Sequence, residues 1–321
     1  MVRVLTEEDV AAVLELPDLL PVITEAIRKQ DNGEVERPNR PHFPVGVGLG
    51  PNLEKALGTG LTMPAYIHGA NNYATKLASV HPDNPTQGLP TVNAQVTLTN
   101  ATTGQPVAYI AGNRITNART GCIGGLSARA LADPPAVVGV IGAGTQARWQ
   151  ARAIAAAMDV TAVSVYSPSD SKYDCAADLR EAGIGAEAVD TAVEAIHDAD
   201  VVVTATTATE PVVPTEALAP NAVVVAVGAY TREMQELEPA TLTDASTVFA
   251  DVPAEAVETG DARAAELTVD DLRRLSTAMD EQSREGRQVV LSVGSAVFDA
   301  ATADHVRKRA VTESVGQVID F

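Results

Sequence analysis

The clearest chemical pattern in the sequence is a glycine-rich loop. Gly142, Gly144 and Ala147 form G-x-G-x-x-A, which follows the apolar run Ala136–Ile141 and overlaps the start of the alanine-rich stretch Gln146–Met158. In nucleotide-binding βαβ units the first glycine permits a tight turn, the second lets the backbone approach a pyrophosphate, and the small third residue lets the helix pack against the strand. Amides at the helix N-terminus then face the anion. The loop therefore predicts a dinucleotide-binding site.

The residues after the next strand indicate which dinucleotide to expect. That strand is Val160–Tyr166, and Ser167 lies about 20 residues beyond the loop, where NAD-binding proteins usually carry Asp or Glu for the ribose hydroxyls. Ser167, Ser169 and Lys172 can instead bind a 2′-phosphate, whereas Asp170 can reach the ribose if the loop is shifted. The sequence leaves NADP and NAD open as cofactors and favours NADP.

The elements that must position this loop form a repeating pattern. Strands that are apolar throughout and separated by helices are typical of a parallel sheet covered on both faces. The predicted strands are Ala136–Ile141, Val160–Tyr166, Ala186–Val189, Val201–Thr204 and Ala222–Val227, and the predicted helices are Gln146–Met158, Asp174–Ala182 and Thr191–Ile196. We expect an α/β Rossmann domain, with a doubly wound parallel sheet, over residues 115–294.

The beginning of the chain predicts helix. Thr6 and Asp9 form a capping-box-like start, apolar residues continue with breaks predicted at Pro17 and Pro21, and the pattern ends at Asn32-Gly33.

Strand-like runs then follow between Pro38 and Ala111, among them Ala94–Leu98 and Val107–Ile110, and Ile115–Leu131 predicts a helix. We therefore expect an N-terminal α+β domain, for substrate binding and dimerisation, over 1–114. A helical segment at about 295–321 can pack back on that domain.

Composition excludes several classes of protein. The 321 residues contain 42 Asp+Glu against 23 Lys+Arg, a formal net charge of −19, which argues against nucleic-acid binding through a basic surface and against docking on anionic membranes. Cys122 and Cys175 are too few for a disulfide framework or a thiolate zinc site, so no metal is expected. The apolar runs are short of the roughly 20 residues of a membrane helix, and the start resembles no signal peptide. These features predict a cytoplasmic protein.

The basic residues show a further bias, because only five of the 23 are lysines. Dense negative charge, scarce lysine and 3% aromatic residues together predict adaptation to high salt, where screening over a few ångströms tolerates such a surface. An ordinary acidic cytosolic enzyme is the alternative.

Several separated segments carry a resemblance to a known family. Besides the glycine-rich loop, they are Leu5–Val10, Pro38–Arg40, Lys76–Thr91, Thr103–Pro106, Ala118–Gly121, Gly260-Asp261 and Ser292–Ala296. In this order, over essentially the whole chain, they resemble the ornithine cyclodeaminase/mu-crystallin family, which includes archaeal alanine dehydrogenases and ketimine reductases. The resemblance implies a homodimer built through the N-terminal domain, a small amino-acid or imino-acid substrate, and an active site in the cleft between two domains.

The resemblance also implies roles for individual residues. Arg40 and Arg119 occupy positions that bind the substrate carboxylate, and Lys76 occupies the position of the active-site lysine. A guanidinium can bind a carboxylate bidentately, and a partly buried ammonium near arginines can act as an acid or a base. His81, which precedes Pro82, is interpreted as a turn residue. The predicted cofactor-binding residues are Thr91, Gly142, Gly144, Thr145, Gln146, Ala147, Ser167, Ser169, Lys172, Thr204, Thr206, Val227, Gly228 and Val293.

One departure from the family pattern bears on the reaction. Ornithine cyclodeaminases and archaeal alanine dehydrogenases carry Gly-(Gly/Ala)-Asp where this chain has Gly228-Ala229-Tyr230, and Met234 replaces a nearby lysine. A tyrosine, with an ordinary pKa near 10, is a poor base at neutral pH. Cyclodeamination needs an acid/base group beyond Lys76, whereas reduction of a C=N bond needs only hydride and one proton.

The sequence therefore favours an NAD(P)H-dependent reductase of a cyclic ketimine or α-imino acid, with Tyr230 among the substrate-binding residues. An amino-acid dehydrogenase of the alanine dehydrogenase type and an ornithine cyclodeaminase stay as alternatives. A non-enzymatic protein that binds NADPH or another ligand is a further alternative.

Overall fold

The computed structural model describes residues 1–49, 52–280 and 285–320; Phe321, the last residue of the predicted C-terminal segment, lies outside them. The chain divides into two compact units. Unit 1 contains Met1–Arg119 and the segment that begins at Ala296, and unit 2 contains Thr120–Ser295.

Both units combine strands and helices. The strands, in chain order, are β1 (Val2–Leu5), β2 (Val35–Glu36), β3 (His42–Val45), β4 (Gly58–Ile67), β5 (Asn72–Val80), β6 (Val92–Asn100), β7 (Pro106–Ala111), β8 (Ala136–Ile141), β9 (Val160–Tyr166), β10 (Ala186–Ala188), β11 (Val201–Thr204), β12 (Val223–Ala226), β13 (Thr247–Ala250), β14 (Leu272–Arg274), β15 (Gln288–Leu291) and β16 (Gln317–Ile319). The helices are α1 (Glu7–Val13), α2 (Leu16–Asp31), α3 (Asn113–Leu131), α4 (Thr145–Ala157), α5 (Ser171–Glu181), α6 (Ala192–Ile196), α7 (Pro239–Thr243), α8 (Pro253–Ala256), α9 (Gly260–Ala264), α10 (Leu275–Asp280) and α11 (Ala296–Thr312).

Unit 1 is built on a mixed sheet in the order β16-β1-β7-β6-β5-β4-β2, with β3 paired to β4. Strands β4 to β7 form an antiparallel meander, whereas β1 is parallel to β7 and antiparallel to β16. Helix α11 packs on α2 and on β4, β5 and β6. Burial alternates along β5: Ala74 and Lys76 are buried, and Tyr73 and Leu77 are exposed. The helices thus cover one face of this sheet, because successive side chains of a strand point to opposite faces.

The N-terminal expectations are partly confirmed. The capping box is present, since Thr6 Oγ1 accepts from the Asp9 amide at 3.2 Å and Asp9 Oδ2 accepts from the Thr6 amide at 2.9 Å. The breaks predicted at prolines are wrong. The chain breaks at Leu14–Glu15, Pro17 lies in the first turn of α2, where amides have no helical acceptor, and Pro21 lies within the helix.

Strand β1 was not anticipated from the sequence. It is only four residues long, and its pairing partners lie about 100 and 300 residues away. Its existence therefore depends on long-range pairing rather than on a local pattern.

Unit 2 is the predicted Rossmann fold. Its sheet has the order β10-β9-β8-β11-β12-β15-β13-β14, and each of these pairings is parallel. Strands β8, β9 and β11 begin and end at the predicted residues. The strand order reverses between β8 and β11, and such a switch point opens a crevice at the carboxyl ends of the strands.

None of the helices among the described residues combines the length and apolar character that crossing a membrane requires. Within the same residues, no group of three or more His, Cys, Asp or Glu side chains is arranged to hold a metal ion.

Candidate active site

A buried cluster of charges lies in unit 1. Lys76 on β5, Arg119 on α3 and Asp299 on α11 are 2%, 6% and 1% exposed. Lys76 Nζ lies 2.6 Å from Asp299 Oδ2, and Arg119 Nε donates to Asp299 Oδ1 at 3.0 Å. One carboxylate therefore joins two cations that come from a strand and a helix far apart in the sequence.

The electrostatics of the cluster set the proton affinity of the lysine. Burial lowers the pKa of Lys76 to about 8; Asp299 opposes this shift, and the charges of Arg119 and Arg40 add to it. Burial alone would raise the pKa of Asp299, but Arg119 and Lys76 outweigh burial, so the net direction is downward. Asp299 stays charged at neutral pH, and Lys76 can hold or release a proton near neutrality.

The two arginines predicted to bind a carboxylate contribute differently. Asp299 engages Arg119 through Nε, which leaves the two terminal nitrogens of the guanidinium for a bidentate bond. Arg40 lies between β2 and β3, is partly buried and acts on Lys76 through its charge. With Lys76 protonated, the cluster carries a net positive charge, which suits a small carboxylate ligand.

Asp299 was missed in the sequence analysis. A usable signal existed, because the carboxylate interrupts the apolar run Ala296–Val297–Phe298 and is followed by Ala300. An acidic residue within an apolar helix start is rarely buried unless it is paired. Its partners, however, cannot be read from that local pattern.

In unit 2, the geometry of the glycine-rich loop fits a dinucleotide. Gly142 has φ +110°, and a Cβ there would lie 2.5 Å from the carbonyl oxygen of Ala205. Gly144 is the N-cap of α4, has no side-chain cap, and a Cβ there would meet nothing within 4 Å. Ala147 is fully buried. Open space at Gly144 next to the N-terminal amides of a helix is what a pyrophosphate requires.

The cofactor-binding residues predicted in unit 2 come together along one edge of its sheet. They follow or end five parallel strands: the loop after β8 (Gly142, Gly144, with Thr145, Gln146 and Ala147 opening α4), the loop and helix start after β9 (Ser167, Ser169, Lys172), the end of β11 (Thr204, Thr206), the end of β12 (Val227, Gly228) and the end of β15 (Val293). The carboxyl ends of parallel strands meet at the same edge, where dinucleotides bind in such sheets.

Two buried carboxylates hold this edge together. Glu236 accepts from the Thr204 hydroxyl at 2.8 Å, the Thr206 amide at 2.6 Å and the Gly228 amide at 2.8 Å. Asp261 Oδ1 in turn accepts from the amides of Glu236 and Leu237 at 2.7 and 2.8 Å. Burial raises the pKa of Glu236 and raises that of Asp261 to about 6. Glu236 thus links the loops that follow β11 and β12.

A similar carboxylate fixes the loop that contains Val293. Asp251, directly after β13, accepts from the amides of Val293 and Gly294 at 3.0 and 2.9 Å and from the Ser292 hydroxyl at 2.9 Å. Sequence reasoning did not assign Asp251 or Glu236 to the site. For Asp251 the available signal was an acidic residue immediately after an apolar strand.

The segment predicted to select the cofactor is rich in hydroxyls. Ser167 Oγ lies 3.2 Å from Ser169 Oγ, which lies 2.7 Å from Ser171 Oγ. Lys172 Nζ donates to Val189 O at 2.8 Å and to Asp190 Oδ1 at 2.9 Å. The hydrogen bond to Asp190 raises the pKa of Lys172, so the side chain is charged at neutral pH but already paired within unit 2.

Two further predicted residues, Thr91 and Tyr230, lie in different units. Thr91 belongs to unit 1, where its carbonyl accepts from the His81 amide at 2.8 Å. The His81 carbonyl in turn accepts from the Asn84 amide at 3.2 Å, so His81 closes a turn, as predicted. Tyr230 follows Gly228 in unit 2, is 50% exposed, and has its pKa raised by burial of the rest of the ring.

A Rossmann sheet with G-x-G-x-x-A at its switch point, in a chain that also holds a buried lysine–carboxylate–arginine cluster, defines an oxidoreductase-like α/β protein. The model of the ornithine cyclodeaminase/mu-crystallin family matches residues 2–314, and the chain belongs to that family.

Relatives within the family are similar over most of their length. A Delta(1)-pyrroline-2-carboxylate reductase of Bacillus cereus is 32% identical over 277 residues, which cover 82% of this chain and 85% of the relative. The structure of Thermococcus litoralis Delta(1)-pyrroline-2-carboxylate reductase in complex with NADH and L-proline is 27% identical, with a TM-score of 0.90, and covers 99% of this chain and 100% of that one. An archaeal alanine dehydrogenase dimer with bound NAD is 28% identical, with a TM-score of 0.90, over 100% and 99% of the two chains.

Proposed function

We propose that this protein is an NAD(P)H-dependent reductase that converts the C=N bond of a small cyclic α-imino acid into an α-amino acid. The observation that carries the proposal is the buried cluster of Lys76, Asp299 and Arg119, in a chain whose other unit presents a dinucleotide loop. The relatives that reduce pyrroline-2-carboxylate support the choice of substrate class.

The residues of this chain have separate tasks in that reaction. The terminal nitrogens of Arg119, with Arg40, bind the substrate carboxylate and orient the imine. Lys76 Nζ supplies the proton that the imine nitrogen gains, since its lowered pKa makes the ammonium a better acid than an exposed lysine. A reduced nicotinamide dinucleotide, with its pyrophosphate at Gly142–Ala147, would supply the hydride for the imine carbon. Tyr230 need not act as a base in this reaction.

For the cofactor we propose NADP(H) in preference to NAD(H). The loop after β9 offers the hydroxyls of Ser167 and Ser169 and no carboxylate at Ser167 to repel a 2′-phosphate. Lys172 must leave Asp190 to reach the phosphate. Wild-type protein should bind NADPH more tightly than NADH, and Ser167→Asp should reverse that order in a fluorescence titration. Tighter binding of NADH by the wild type contradicts the preference.

We further propose that the protein is a homodimer through the uncovered face of the unit 1 sheet. Tyr73 and Leu77 on β5 are 37% and 41% exposed there. Apolar side chains on a sheet face without helices favour a second copy as cover, and the archaeal relative forms a dimer. Leu77→Asp should produce monomers in light scattering, whereas Val311→Asp, on an exposed position of α11, should not.

The experiment that tests the activity follows nicotinamide oxidation by the wild-type protein. Pyrroline-2-carboxylate and piperideine-2-carboxylate should give higher kcat/KM than pyruvate with ammonia. Faster turnover of pyruvate with ammonia would indicate an alanine dehydrogenase, and conversion of ornithine to proline with release of ammonia a cyclodeaminase. NADPH binding without turnover of any of these would indicate a ligand-binding protein.

A further inference from the structure

Asp299 has an arrangement that stability alone does not explain. Its two oxygens bind different cations: Oδ2 lies 2.6 Å from Lys76 Nζ, and Oδ1 accepts a hydrogen bond from Arg119 Nε at 3.0 Å. All three side chains are nearly inaccessible to water. Removing three charges from water costs free energy that their mutual attraction offsets only in part, and apolar residues of similar volume often serve stability as well or better.

The backbone origins of the three groups give the carboxylate a geometric role. Lys76 comes from the middle of β5, Arg119 from α3, and Asp299 from the first turns of α11, which packs on β5. The lysine stem is flexible, with four rotatable carbons, whereas the guanidinium is a rigid fork. A single carboxylate that binds both therefore fixes the ammonium relative to the plane of the fork.

We propose that Asp299 is the positioning residue of the reaction: it holds the Lys76 ammonium and the Arg119 guanidinium at a fixed separation. The ammonium can then face the imine nitrogen while the guanidinium binds the carboxylate of the same substrate. This inference rests on the proposed function. Asp299 itself touches neither reacting atom, because both of its oxygens face the cations.

A second consequence concerns pH. The charged groups that face Lys76 are Asp299 from α11, Arg119 from α3 and Arg40 from the segment before β3. Asp299 is the negative one among them and favours the protonated lysine. Its removal leaves Lys76 buried beside two arginines, which lowers the pKa of Lys76 below about 8.

The test compares Asp299→Asn and Asp299→Glu with the wild-type enzyme. Asp299→Asn preserves shape and removes the charge. We expect kcat to fall by up to about 100-fold, the cost of misplacing reacting groups by about 1 Å, and the alkaline limb of the pH–kcat profile to move to lower pH. Asp299→Glu keeps the charge but displaces it by one methylene, so kcat should fall while the alkaline limb stays near its wild-type position.

A matched control lies on the same helix. Asp304 pairs with Lys308 at 2.7 Å and accepts from Asn72 at 2.8 Å. Asp304→Asn should lower the melting temperature without moving the pH profile.

A readout independent of substrate is the lysine side-chain nitrogen signal in NMR, which is tractable because the chain has five lysines. The Lys76 signal should titrate at lower pH in Asp299→Asn than in the wild type. An active wild type with unshifted titration and profile in Asp299→Asn overturns the role of Asp299 alone. A wild type that reduces no imine overturns the proposed function and this inference together.

Discussion

At the scale of single residues, the proposed chemistry depends on a lysine that is almost fully buried, where lysines are rarely found. Lys76 lies on the covered face of β5, opposite the buried Met63 and Val96 of the neighbouring strands. Burial lowers the pKa of Lys76, and the carboxylate of Asp299 reverses part of this shift. The balance of these two effects places the pKa of Lys76 near the pH of the cell.

The first prediction concerns the proton donor. Lys76→Ala should reduce imine turnover by about 10²–10⁴-fold, the usual contribution of a positioned acid, and leave the Kd for NADPH unchanged. In the wild type, imine reduction should decline as pH rises through about 8, because Lys76 must be protonated to donate. Lys29→Ala removes a lysine that pairs with Glu34 near the surface and should change neither property.

Tyr230 provides a second prediction at this scale. Because the reaction requires only one proton besides hydride, Tyr230→Phe should keep imine-reducing kcat within about threefold of the wild type and mainly affect KM. Steady-state kinetics on the cyclic imines would measure both constants. A loss of kcat as large as that of Lys76→Ala would show instead that the phenol is the proton donor.

At the scale of elements, two glycines in the loops after the strands act differently at the predicted cofactor-binding edge of the unit 2 sheet. Gly144 leaves space open before α4, whereas a Cβ at Gly228 would lie 2.4 Å from Glu236 Oε1 and from Thr206 O. The first glycine keeps room for a ligand, and the second permits close packing of Glu236 against two loops.

Gly144→Val tests the ligand space. The backbone there has φ −80° and ψ −170°, which valine adopts readily, so the melting temperature should be retained. The side chain would fill the position of the pyrophosphate, and the Kd for NADPH should rise at least about 100-fold. Gly185→Val is the control, because it has room for a Cβ and precedes β10 at the opposite edge of the sheet. Equal affinity in Gly144→Val and wild type would refute the site.

Asp261 carries a prediction about stability and pH. Its pKa is raised to about 6 from 3.8, so the native state binds more protons than the unfolded state between these values, and the free energy of unfolding falls as pH rises through that window. Asp261→Asn keeps the Oδ1 acceptor and removes the charge. The difference between its melting temperature and that of the wild type should therefore become more positive as pH rises from 4 to 7.

The control is Asp271, whose pKa is shifted in the opposite direction. Hydrogen bonds from Thr268 lower the pKa of Asp271 below 3.8, so the stability that its charge contributes is complete above that value and is lost only at lower pH. From pH 4 to 7 the melting temperature of Asp271→Asn should therefore keep a constant offset from that of the wild type. Parallel pH curves for wild type and Asp261→Asn in differential scanning calorimetry would contradict the assignment.

At the scale of the whole molecule, the net charge of −19 causes repulsion between carboxylates over the surface of the chain. The Debye length shrinks from about 30 Å at 0.01 M salt to about 3 Å at 1 M. Repulsion between surface carboxylates is therefore strong in dilute buffer and nearly absent in concentrated salt.

Thermal stability should respond to salt accordingly. If the acidic, lysine-poor surface reflects adaptation to high salt, the melting temperature should rise as KCl increases from about 0.01 to about 1 M, where screening is nearly complete. The dimer fraction in light scattering should increase over the same range. A melting temperature that stays flat or falls would leave an ordinary acidic enzyme as the explanation.

Local features of both units could be predicted from the amino-acid sequence. The strand–loop–helix around Gly142, the bounds of β8, β9 and β11, and the capping box at Thr6 were predicted because hydrophobic period, turn residues and caps act over a few neighbouring residues. The resemblance to the family supplied Lys76, Arg40 and Arg119 as site residues.

Which distant groups meet became visible only in the folded chain. Asp299 reaches Arg119 across 180 residues, Glu236 reaches Thr204 across 32, and β1 pairs with strands from the middle and the end of the chain. A sequence pattern shows which face of an element is buried, and not what will be packed against that face. The partners of a buried charge therefore depend on the order of strands and the docking of helices, which arise from long-range packing.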